Sequence, residues 1–159
     1  MQPMGLREVH DTISPWGFVL FIFIIAGFWC LGCFVASRFG WSNWTALYRC
    51  DRQLQGTIYR GRSGRFKDQK SYRGVLCVVL CEDGIGLSLA QIWRPGHPPL
   101  LIPWSKVVAA EEKNYIFFHL LRITLSDAGQ TFAFELPLSA KPEVARHLAQ
   151  NEGTTELKP

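Results

Sequence analysis

Charge is missing from the 22 residues between Trp16 and Ser37, which hold seven aromatic rings and no Asp, Glu, Lys or Arg. As a helix this stretch rises about 33 Å, enough to cross a hydrocarbon core of about 30 Å. The absence excludes a freely soluble cytosolic protein, and the single run excludes a multispan transporter. The basic leader of a cleaved signal peptide is also lacking. Arg7 stands against Glu8 and Asp11 ahead of the run, and Phe34-Val35-Ala36 puts a bulky ring where cleavage needs a small side chain. A lipoprotein-type site is missing too, because Cys30 occupies the position three before Cys33, where such a site carries an aliphatic residue.

A disulfide framework is absent. The five cysteines are an odd count, and Cys30 and Cys33 lie inside the apolar run, where they read as small helix filling in a chain of a reducing compartment. Enzyme signatures are absent as well. There is no P-loop, no G-x-S-x-G and no H-E-x-x-H, and Gly84-x-Gly86 lacks a third glycine and a following helix. Cys77 and Cys81 with His97 or His119 are what remains. Four residues along a strand separate α-carbons by about 13 Å, too far to share a zinc ion or form a disulfide. Both cysteines therefore read as small core hydrophobes, and His119, in the alternation Phe117, His119, Leu121, reads as a core histidine. No catalytic residue, metal site or cofactor is expected.

What is there divides into an anchor and one compact domain. From Arg38 onward, 27 of 122 residues are charged, an ordinary globular share. One basic residue precedes the span of residues 16–37, while Arg38, Arg49 and Arg52 follow it closely. The positive-inside bias therefore places the short tail 1–15 outside and the carboxy-terminal domain in the cytoplasm, in an inner (plasma) membrane. Gly32 and Ala36 form a small-x-x-x-small spacing that would let two spans approach as a homodimer.

After the span, Gly40 is a helix stop, with Ser42 or Asn43 as the next cap. Within 41–52, Trp41, Trp44 and Tyr48 share one helical face, with Arg49 and Arg52 at its end. Rings beside arginines read as an interfacial helix anchored by Trp41, Trp44, Tyr48 and Arg49; the alternative is that this stripe packs on the following domain.

Residues 54–150 carry period-two patterning. Asp83-Gly84 separates Val75–Cys81 from Ile85, Leu87 and Leu89, and Asp127-Ala128-Gly129 separates Leu121, Ile123 and Leu125 from Phe132, Phe134 and Leu136. With Leu100–Ile102, Lys106–Ala110, a stretch opening at Tyr115 and a weaker run over Leu54–Tyr59, about seven strands are predicted. Pro137 ends the last strand. Ser139 and Pro142 open a helix of roughly ten residues with Val144 and Leu148 on one face, ending near Asn151. The polar tail 151–159 reads as disordered.

Asp83-Gly84-Ile85-Gly86-Leu87-Ser88-Leu89, followed by Leu101-Ile102-Pro103-Trp104-Ser105-Lys106-Val107, resembles the hairpin and strand entry of GRAM-like and bacterial pleckstrin-homology-like (PH-like) domains. The resemblance implies a mainly-β barrel of about seven antiparallel strands with a carboxy-terminal helix. One span plus such a domain resembles bacterial inner-membrane proteins for which the likeness implies no established activity. The eukaryotic pattern keeps a tryptophan in the terminal helix, whereas here none follows Trp104.

From Arg49 to Arg73, eight basic residues face Asp51 and Asp68, a net of +6; from Gly74 onward the net is −2. Arg60, Arg62, Arg65, Lys67, Lys70 and Arg73 fall in the expected loop between the first two strands. The resemblance implies headgroup ligation by such a loop, and simple attraction to an anionic leaflet needs only the charge. The segment lacks the aromatic platform of nucleic-acid readers, so nucleic acid is not an expected partner. Trp93-Arg94-Pro95-Gly96-His97-Pro98-Pro99 is a stiff loop. Trp93, Arg94 and His97 could dock a protein partner there, or the loop folds against the barrel as a crossover. The reading is a membrane-anchored, non-enzymatic adaptor or accessory subunit, with an anionic-lipid headgroup sensor as the alternative.

Overall fold

The structure, a computed structural model, describes residues 15–38, 40–67, 71–115 and 119–155. Helix α1 (Pro15–Ser37) starts on proline, whose missing N–H costs nothing in a first turn. It continues through Phe, Ile and Leu and is long and apolar enough to cross a membrane. Gly40, at φ 105°, then redirects the chain, and a β-carbon there would sit 3.1 Å from the Phe66 ring. Helix α2 (Trp41–Tyr48) follows at once, one or two residues before the predicted caps and shorter than the predicted 41–52. Ser42 Oγ bonds back to the Arg38 carbonyl at 3.3 Å instead of capping the new helix.

Seven antiparallel strands follow: β1 (Thr57–Phe66), β2 (Ser71–Cys81), β3 (Gly84–Leu89), β4 (Leu100–Ile102), β5 (Val107–Asn114), β6 (His119–Asp127) and β7 (Gln130–Pro137). Their order is β4-β3-β2-β1-β7-β6-β5, so the sheet curls into a half-barrel whose two edges are β4 and β5. Both expected hairpins are present. Cys81 pairs with Gly84, and Asp127 pairs with Gln130. The second turn has Ala128 at φ 47° and Gly129 at φ 77°, the positive pair that a two-residue hairpin of matching twist requires.

The alternation read from sequence sets the core. Leu121, Ile123 and Leu125 of β6 meet Phe132, Phe134 and Leu136 of β7, and Leu76, Val78 and Leu80 of β2 meet Ile85, Leu87 and Leu89 of β3. Helix α3 (Lys141–Thr155) adds Val144 and part of Leu148 to this core, and its Glu143 accepts from Thr57 Oγ1 at 2.8 Å. It is longer than predicted, covering part of the tail read as disordered; residues 156–159 lie outside the described ones. Trp104 stacks on His147 of α3 with centroids 4.7 Å apart, so the aromatic contact to the terminal helix comes from the β4–β5 connection.

The aromatic stripe of α2 corrects the interfacial reading. Trp41 is fully buried and Trp44 is 3% exposed, both inside the domain core, with Tyr48 packed against it. A ring at a lipid interface would face outward; these cover one mouth of the half-barrel, as the alternative reading had it. Arg49 pairs with Asp51 at 3.0 Å, and its main chain bridges to Leu100.

Candidate functional site

Between β3 and β4 the chain runs alongside α1. Trp29 donates its indole N–H to the Ile92 carbonyl at 2.9 Å, and its ring lies 4.5 Å from that of Trp93. Two turns further down α1, Gly96 (φ 74°) comes so close that a β-carbon would sit 2.9 Å from Phe34 Cα and from Ser37 Oγ. The prolines and glycine that stiffen this segment thus hold it against α1. An indole N–H in an apolar helix needs an acceptor, which was the signal available in sequence for Trp29.

His97 anchors the same segment to the sheet. It is 3% exposed, with Nδ1 3.0 Å from the Pro95 carbonyl and Nε2 3.1 Å from Tyr72 Oη. The carbonyl can only accept, so Nδ1 carries the proton and Nε2 accepts from the tyrosine. Burial lowers the His97 pKa below its usual value and pushes the Tyr72 phenol up to about 12. Trp41 closes the cluster, donating to the Pro98 carbonyl at 3.0 Å with its ring edge-on to both Tyr72 and His97. This corrects the picture of a loop presenting Trp93, Arg94 and His97 outward. His97 is inside, whereas Trp93, which stacks on α1 of the same chain, and Arg94 are both exposed.

The basic residues are also rearranged. Arg60, Arg62 and Arg65 lie within β1 and Arg73 within β2, so the expected loop is the far half of a long bulged hairpin. From Arg60 to Phe66 the strand covers about 20 Å, so the six candidates do not converge on one point. Arg65, Lys67 and Arg73 do converge: all are exposed and line one groove of about 460 Å³ with Ser63, Ser71 and Thr131. None of the three pairs with a carboxylate among the described residues, whereas Arg122 on the opposite wall holds Glu135 at 2.7 Å. Arg62 instead donates to the Arg60 carbonyl at 2.9 Å, and Lys70 lies outside the described residues. Unpaired guanidinium and ammonium groups in a concavity suit phosphate or carboxylate oxygens through charge-assisted hydrogen bonds. Ser71 and Arg73 also line a cavity walled by Gly32, Cys33 and Ala36, so the groove adjoins the last turns of α1.

Other candidates separate. Cys81 is buried and Cys77 half-buried, but neither joins the core cluster, because they alternate with Leu76, Val78 and Leu80 and point to the opposite face of β2. His119 is exposed at the start of β6 and contacts Asn114 Oδ1 at 2.8 Å, which corrects the reading of a core histidine; Phe117 of the same alternation lies outside the described residues. Among the described residues, no group of three His, Cys, Asp or Glu side chains is placed to hold a metal ion. Gly32 and Ala36 turn toward the sheet of their own chain, where they line a second cavity. The chain matches no protein-family model, and no curated protein is significantly similar to it.

Proposed function

We propose that the chain is a single-span protein of the inner (plasma) membrane, amino terminus outside, whose PH-like β domain sits at the cytoplasmic leaflet as a non-enzymatic adaptor or accessory subunit. The observation that carries this reading is the bond from Trp29 to Ile92 with the Trp93 stack. It fixes the domain to α1 about 12 Å above the end of the helix, rather than leaving it on a tether. With α1 filling the hydrocarbon, Ile92, 65% exposed, and Trp93 lie among acyl chains, where an exposed apolar side chain is at home.

A domain held in one pose presents the same surface to every neighbour in the membrane plane. Edge strand β5 is the surface best suited to a partner, since one side of its main chain faces no strand among the described residues and Val108 is 61% exposed. A photo-crosslinker at Val108, used in native membranes, should recover one partner in stoichiometric amount, and Ala110→Lys on the same exposed edge should abolish the adduct. Diffuse, substoichiometric adducts indifferent to Ala110→Lys would contradict the adaptor role.

Convergence of Arg65, Lys67 and Arg73 beside the end of α1 favours a second reading, in which the domain responds to anionic lipid.

A further inference from the structure

Two cavities adjoin across the start of β2 and share Ser71 and Arg73 in their walls. One is the cationic groove already described. The other, about 440 Å³, lies between α1 and the sheet, where Gly32, Cys33 and Ala36 face Tyr72, Val75 and Leu89. Its size falls in the ordinary range of ligand pockets. Its polar wall groups are largely spoken for, because Tyr72 and His97 bond each other; Arg73, at the junction with the cationic groove, is not paired with a carboxylate among the described residues. Gly32 adds no bulk to the wall, and no atom lies within 4 Å of where its β-carbon would be.

We propose that the two cavities form one site for an anionic phospholipid, with an acyl chain along α1 in the apolar cavity and the phosphate on Arg73, Arg65 and Lys67. The site rests on the membrane-anchored reading, which brings lipid to this side of α1. An extended peptide in the apolar cavity would bury main-chain N–H and C=O groups against walls that cannot bond them, whereas an acyl chain has none to satisfy. A guanidinium fork fits two phosphate oxygens, and three unpaired cations favour a lipid of net negative charge over a zwitterion that carries its own ammonium.

The test uses the full chain in phosphatidylcholine nanodiscs doped with phosphatidylglycerol bearing a photoactivatable group on its acyl chain, with equally tagged phosphatidylcholine as control. Labelling should map to residues 28–36 and to the strand segments around Val75 and Leu89, with phosphatidylglycerol favoured. Arg73→Gln should cut phosphatidylglycerol labelling about tenfold, the size of one lost charge-assisted hydrogen bond, and leave phosphatidylcholine labelling unchanged. Gly32→Phe should block the chain cavity for both lipids, and soluble glycerol phosphate should not compete. Equal labelling by the two lipids, labelling spread around every face of α1, or full competition by glycerol phosphate would overturn the site. A parallel alkaline carbonate wash separates the two levels. Chain that stays in the membrane while labelling is spread loses only the site; chain that washes out loses the anchored reading with it.

Discussion

Trp29 reaches across 63 residues of sequence to donate its indole N–H to the main-chain oxygen of Ile92 at 2.9 Å. The pair joins the apolar helix to the loop between β3 and β4, and with Gly96 it sets where the β domain rides. Trp29→Phe keeps an aromatic ring against Trp93 and removes the donor. A hydrogen bond of this kind contributes about 1 kcal/mol net, so amide exchange over residues 91–98 should speed up about fivefold, with the β6–β7 hairpin unchanged. Unchanged exchange in this loop would mean the bond does not hold it.

Trp41 and Trp44 precede the strands but belong to the domain core. Trp41→Ala should destabilise the detergent-solubilised chain by about 3–5 kcal/mol in urea unfolding. A fragment beginning at Leu54, which lacks both rings, should fail to show the cooperative transition of one beginning at Gly40. Equal stability of the two fragments would return α2 to the role of a separate interfacial helix.

Acid should weaken the domain in two steps. His97 is held below its usual pKa by burial, so below about pH 6.5 the unfolded chain takes up a proton that the folded chain refuses. Stability is full above that pH and falls as pH drops toward the folded-state value. Asp127, held below the usual carboxylate range by hydrogen bonds from the Lys106 ammonium and the Tyr48 hydroxyl, adds a second loss below about pH 3.8. Melting temperature should therefore fall between pH 7.5 and 5.5. In His97→Gln, whose amide oxygen can still accept from Tyr72, that fall should be smaller; an identical fall would assign the titration to another group.

Much of the fold was legible because its signals are periodic. Leu121, Ile123 and Leu125 alternate in the sequence and are buried as read, and Asp127-Ala128-Gly129 marks the turn it makes. Long-range contacts left weaker traces. Arg60, Arg62 and Arg65 read as loop because glycines and charges interrupt the pattern, yet bulges at Tyr59/Arg62 and Arg62/Gly64 carry β1 through them. The face of Trp41 and Trp44 was visible, but what covers it depends on where the half-barrel opens, and helical spacing does not encode that. Trp93 and His97 stood out correctly as unusual. Trp93 packs on α1 and His97 bonds Tyr72 of β2 and meets Trp41 of α2, long-range contacts that no local pattern shows.

A β domain lying against the membrane along the last turns of α1 would shield Ile92 from water, so water access at this residue is the decisive measurement. In a background with the native cysteines replaced by alanine, Ile92→Cys and Val108→Cys should be compared in inside-out vesicles with a membrane-impermeant maleimide. Val108→Cys should be modified rapidly, and Ile92→Cys should be protected until detergent is added. Equal, fast modification of both would place the loop in water and contradict this placement of the domain, as would modification of Val108→Cys only in right-side-out vesicles.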